Sequence, residues 1–88
     1  MYSIVYTKAA AKDIRNLKAA HLDGRAKSLI EVLRHDPYQA PPTYEKLIGD
    51  LQGLCSRRIN RQHRLVYEVL EAEKTVKIVS MWSHYERI

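Results

Sequence analysis

Phenylalanine is absent from this chain, so six tyrosines and one tryptophan carry its aromatic packing. Cysteine occurs once, at Cys55, which excludes an internal disulfide and fits a reducing compartment. One cysteine and four scattered histidines make no zinc-ligand spacing, so no metal and no other cofactor is expected. No apolar run approaches the ~20 residues that span a bilayer. The opening residues, Met1-Tyr2-Ser3-Ile4-Val5-Tyr6, lack the apolar core and small-residue cleavage pattern of a secretory signal. A cytoplasmic protein without membrane association is the expectation. Repeats, linkers and low-complexity tracts are missing too, and a chain of 88 residues makes one domain, 1–88.

Acid is scarce in one stretch above all. Between Leu51 and Tyr67 there is no Asp or Glu, while Arg57, Arg58, Arg61 and Arg64 fall together with His63 beside them. Over the whole chain 15 Lys and Arg stand against 10 Asp and Glu, a formal charge of +5. On so small a domain this favours a polyanionic partner, either nucleic acid or an acidic protein. Guanidinium forks suit phosphate because they donate paired hydrogen bonds and stay charged at any working pH. The competing reading is a solvated edge hairpin whose charges only discourage aggregation; four arginines without a counter-acid make it the weaker one.

The remainder divides into short elements. Tyr2 to Tyr6 is β-branched and aromatic and reads as a strand. Thr7 caps a helix in which Ala10, Ile14 and Leu17 recur at helical spacing. Asp23-Gly24 breaks that helix and caps a second one, striped by Ala26, Leu29, Ile30 and Leu33 and ended by His35-Asp36-Pro37. Pro37 to Asp50 reads as a loop. Beyond Gly53 the period falls to two, with strands at Leu54–Ile59, Arg64–Leu70 and Thr75–Trp82. The order is β-α-α-β-β-β, an α+β domain with a mostly antiparallel sheet. Leu65, Tyr67 and Val69 share the core face of their strand, which leaves Arg64 pointing toward an open surface.

Three residue types then suggest a chemistry. Transesterification of RNA needs a base for the 2′-hydroxyl proton, positive donors on the phosphate, and an acid for the departing 5′-oxygen. Glu45, Arg64 and His84 could supply these parts without a metal, although spacing alone does not show that they meet.

The runs Glu45-Lys46-Leu47-Ile48-Gly49-Asp50-Leu51-Gln52-Gly53, Ser56-Arg57-Arg58-Ile59-Asn60, Gln62-His63-Arg64-Leu65-Val66-Tyr67 and Trp82-Ser83-His84-Tyr85 resemble the YoeB/Txe toxins of the RelE superfamily. The resemblance implies a RelE-like fold and a ribosome-dependent mRNA interferase. It implies Glu45 as general base, Arg64 as the transition-state arginine, His84 as general acid, Arg58 as a second phosphate contact and Tyr85 as the aromatic that positions substrate. Arg57 and Arg61, in the same basic hairpin, are expected to bind substrate rather than to act on it. Also implied are a cognate antitoxin with a flexible C-terminal segment, mRNA and the ribosome as partners, and a homodimer. The chain departs from the pattern at Ile48, where some relatives carry lysine, at Cys55, and in the Glu86-Arg87-Ile88 tail. Two other functions stay open at this point: a gyrase inhibitor like the ParE toxins on the same scaffold, and a non-catalytic module that binds RNA or ribosomes.

Overall fold

In a computed structural model the described residues are 1–84, the last two by their backbone only. Strand β1 (Ser3–Tyr6) leads into helices α1 (Lys8–Ala19) and α2 (Asp23–His35). Four strands follow: β2 (Tyr44–Lys46), β3 (Cys55–Arg58), β4 (His63–Leu70) and β5 (Thr75–His84). They form one sheet of order β1-β5-β4-β3-β2, in which β1 runs parallel to β5 and every other pair is antiparallel. This is the α+β arrangement expected, with one strand more. Among the described residues no helix is long and apolar enough to cross a membrane.

The helices form where their local chemistry asks for them. Thr7 Oγ1 accepts from the Ala10 N–H at 3.0 Å, the cap read from the sequence, and donates to the Val79 carbonyl at 2.8 Å, which moors α1 to β5. Ala10 and Leu17 are buried, but Ile14 stays partly exposed beside a groove between the helices. His21 takes a left-handed conformation (φ 58°) after α1, a place that glycine more often fills. The expected role of Asp23 as cap is corrected: it is the first residue of α2, where its charge complements the helix dipole, and the cap position is Leu22. Ala26, Leu29, Ile30 and Leu33 all pack inward. They meet Leu65, Tyr67, Val76, Ile78 and Met81 of the sheet in a single core. The helical hairpin thus covers one face of the sheet and leaves the other free for chemistry.

The second correction concerns β2. The segment from Pro37 to Asp50 is not loop throughout, because Tyr44, Glu45 and Lys46 pair with Arg57, Ser56 and Cys55. Three residues are too few to show a period, and prolines in front of them hide the strand further. Its consequence is direct: Glu45 sits on a sheet edge instead of a wandering loop.

At the other end of the sheet an exposed carboxylate gathers three elements. Glu71, in the turn between β4 and β5, accepts from the phenol of Tyr2 at 2.8 Å, that of Tyr38 at 2.7 Å and the Lys74 ammonium at 2.9 Å. Lys74, then Tyr38 and Tyr2, hold its carboxyl down to about 2. A folded-state value below the ordinary one near 4.5 means the contribution to stability is present above that range and is lost as pH falls through about 2. The Glu71 side-chain carbon, followed by NMR, should therefore titrate near 2. Lys74→Met and Tyr38→Phe should each move it upward. A wild-type midpoint near 4.5 would show that the clasp does not hold in solution.

Candidate active site

Strand β3 sorts two adjacent arginines to opposite sides. Cys55 and Arg57 stand opposite Tyr67 and Leu65, on the helix-covered face. Ser56 and Arg58 stand opposite Val66 and Arg64, on the free face, and Glu45 joins them there through its pairing with Ser56.

On that free face three strands converge on one guanidinium. Arg64 Nη1 donates to Ser56 Oγ at 2.6 Å, and Nη2 donates to Glu45 Oε1 at 2.9 Å. The expectation that Arg64 points into open solvent is corrected, since the residue is only 3% exposed. Alternation assigns a face, but it cannot show that neighbouring side chains close over it. The carboxylate differs: the Glu45 side chain keeps 54% of its surface in solvent. Pro42, Thr43, Glu45, Ser56, Arg58 and Arg64 line a cavity of about 200 Å³. Arg58 and Arg64 stand directly opposite each other, and the Glu45 carboxylate beside Arg64 offsets their like charges. Ser56, fully buried, escaped sequence reasoning. The available signal was its place one residue before Arg57-Arg58 on a strand that alternates.

The backbone of β5 carries Ser83 opposite Arg64 and His84 opposite His63. Near that point the His63 and Trp82 rings stack with centroids 3.9 Å apart and planes 15° from parallel, joining β4 to β5. The His84 side chain, Tyr85 and the Glu86-Arg87-Ile88 tail lie outside the described residues. Glu45, Arg64 and Arg58 are therefore together, and the strand position of His84 is one residue from Arg64's partner. Arg61 is elsewhere, exposed at the tip of the β3–β4 hairpin.

Arg57 requires a correction. It was expected on phosphate, but it is 1% exposed on the covered side. Its Nη2 donates to the Pro37 carbonyl at 3.0 Å, Nη1 to the Pro42 carbonyl at 2.6 Å and Nε to the Tyr67 hydroxyl at 3.1 Å. The Tyr44 ring lies 4.8 Å from the guanidinium carbon. Burial pushes the Tyr67 phenol up to about 12, with Arg57 opposing, so the hydroxyl stays neutral at any working pH. Arg57 is thus a structural cation that holds the proline segment against the sheet. Among the described residues no group of three or more His, Cys, Asp and Glu is arranged to hold a metal ion.

A five-stranded sheet backed by a helical hairpin is a framework this chain shares with solved bacterial toxins. The chain superposes on a YoeB/ParE toxin from Agrobacterium tumefaciens with a TM-score of 0.85 at 27% identity, covering 94% of this chain and 99% of that one. The YoeB–YefM complex from Staphylococcus aureus matches with a TM-score of 0.80 at 28% identity, over 97% and 99%. The YoeB dimer from the same species gives 0.80 at 29%, over 96% and 98%. In sequence, toxin YoeB of Synechocystis is 40% identical over 63 residues, 72% of this chain and 71% of that protein. The family model described as YoeB-like toxin of bacterial type II toxin-antitoxin system matches residues 6–85. The chain belongs to that family.

Separate duties for the two adjacent arginines can be measured. Arg57→Met takes a donor from three acceptors, of which, among the described residues, only the Pro37 carbonyl keeps another, the Tyr67 hydroxyl at 3.4 Å, and should cost about 2–4 kcal/mol, read as a lower urea midpoint at constant slope. Arg58→Gln, on the free face, should leave the midpoint within about 0.5 kcal/mol. Equal midpoints for Arg57→Met and wild type would return Arg57 to the binding surface.

Proposed function

We propose that this toxin is a ribosome-dependent endoribonuclease that cleaves mRNA by metal-free general acid–base catalysis in the cytoplasm and is neutralised by a cognate antitoxin. The observation that carries the reading is the Glu45–Arg64–Ser56 cluster, with Arg58 opposite, around a cavity large enough for a phosphate group.

Each side chain has a task that its surroundings suit. Ser56 fixes one arm of the Arg64 guanidinium, so the charge is already in place when substrate arrives; such preorganised donors are the largest single contribution to many enzyme rates. Glu45 is half-exposed and held by one contact to Arg64, so a phosphate can take over that contact and release the carboxylate for base duty. Glu45 then removes the 2′-hydroxyl proton, and the 2′-oxygen attacks the adjacent phosphorus. Arg64 and Arg58 neutralise the charge that builds on the non-bridging oxygens. The bond to the 5′-oxygen breaks as His84 gives that oxygen a proton, leaving a 2′,3′-cyclic phosphate and a 5′-hydroxyl. Tyr85 positions the base beside the cut. No step calls for a cofactor.

The antitoxin reading rests on the Staphylococcus aureus toxin, which forms a complex with YefM. A groove between the helices has an apolar floor that includes Ile14, Leu17, Ile30 and Met81, with Lys18, Asp23 and Lys27 also lining it, a mixture that suits an amphipathic segment. The homodimer has its parallel in the dimer of that same toxin.

Cleavage of translated mRNA, mapped by primer extension, tests the reading. Glu45→Gln, Arg64→Gln and His84→Ala should each slow cutting by about 10²–10⁴-fold. Glu45→Gln should do so with an unchanged unfolding midpoint. A folded Glu45→Gln protein that cuts at the wild-type rate would remove Glu45 from the mechanism.

A further inference from the structure

A second group of cations lies away from the Glu45–Arg64 cavity. The turn between α1 and α2 and the tip of the β3–β4 hairpin meet in a cleft lined by His21, Leu22, Arg25, Asn60, Arg61 and Gln62. Its construction is specific. Asn60 Oδ1 accepts from the N–H groups of Gln62 and His63 at 2.9 and 2.8 Å, which sets the hairpin tip in one shape. Arg25 Nη1 donates to the Ile59 carbonyl at 3.3 Å, which brings a guanidinium from α2 against that tip. The left-handed turn at His21 presents the imidazole on the same cleft. No acid is among the lining residues, and none occurs between Leu51 and Tyr67.

We propose that this cleft is a second binding site for RNA backbone phosphate, engaged by the same strand whose scissile phosphate sits at Arg58 and Arg64. The inference rests on the ribonuclease reading above and extends its substrate contact beyond the cut. Arg58 and Arg64 are cross-strand partners at the base of the turn, and Arg61 stands three residues along the chain from each. A strand that passes over the hairpin tip from the cavity meets the cleft on the other side.

The lining favours RNA over an acidic protein. Five of its six residues are polar, with two guanidiniums that match phosphate oxygens in paired fashion. A peptide that folds on binding needs apolar anchors, and those lie in the separate groove between the helices. The site supplies affinity and register only; it holds no group that acts on the phosphodiester.

Binding of a fluorescein-labelled, fully 2′-O-methylated RNA 12-mer tests the proposal without any cutting, since the nucleophile is blocked. Arg25→Gln and Arg61→Gln should each weaken binding several-fold at low salt. Each should also flatten the slope of log affinity against log salt by about 0.7, the value for one phosphate contact on a single strand. Arg34→Gln, at the far end of α2, removes the same charge and should leave the slope unchanged. Slopes unaltered by Arg25→Gln and Arg61→Gln, or flattened equally by Arg34→Gln, would overturn the site. So would loss of affinity for an acidic antitoxin peptide with the RNA slope intact, which would assign the cleft to protein. Cleavage by wild type and Glu45→Gln is scored separately, so failure of the cleft and failure of the nuclease are distinguishable.

Discussion

The buried guanidinium of Arg57 is the contact on which the free face depends. Taking a charge out of water is costly unless every donor finds a partner. Here the partners are the carbonyls of Pro37 and Pro42 and the hydroxyl of Tyr67, with the Tyr44 ring against the cation. Those partners bracket the segment that leads into β2. By gripping it, Arg57 presses a three-residue strand onto the sheet edge, and that strand carries Glu45 to Arg64. The charge is buried, yet Glu45 is placed through it.

From that constraint the division of labour along β3 follows. Consecutive residues of a strand face opposite ways, so Arg57 builds while Ser56 and Arg58 serve the cavity. Arg64 is buried and Glu45 half-exposed, an asymmetry that suits the proposed roles of electrostatic partner and base. The two cationic sites share the hairpin, and the groove between the helices has no lining residue in common with either.

Much of the fold was legible. The stripe Ala26, Leu29, Ile30 and Leu33 has a helical period and packs as such, and Thr7 caps α1 because its hydroxyl has an amide within reach. Strand β2 was not legible, since three residues carry no period and their pairing depends on a cation thirteen residues beyond Tyr44. The two arginines of Ser56-Arg57-Arg58 look alike in sequence and differ only through register: had Arg57 been set opposite Leu65 from the start, its inward direction would have followed. Alternation put Ser56 on the face of Arg58, but its contact was hidden, because a serine becomes a positioning group only when a guanidinium is brought to it. Glu45 and Arg64 have suitable functional groups, but local chemistry shows no shared location for them; only resemblance to a family joins them.

The claim at the centre of this account is that the carboxylate and the arginines direct the substrate's own 2′-oxygen onto phosphorus. The chemical identity of the new RNA ends tests it most directly. Mass spectrometry of fragments released from translated mRNA, collected at early times, should find 2′,3′-cyclic phosphate at one end and 5′-hydroxyl at the other. Substrate carrying a 2′-deoxy residue at the cut should stay intact. Fragments ending in 3′-hydroxyl and 5′-phosphate, or cutting at the 2′-deoxy position, would mean that water and not the ribose attacks, and would contradict the roles assigned to Glu45 and Arg64.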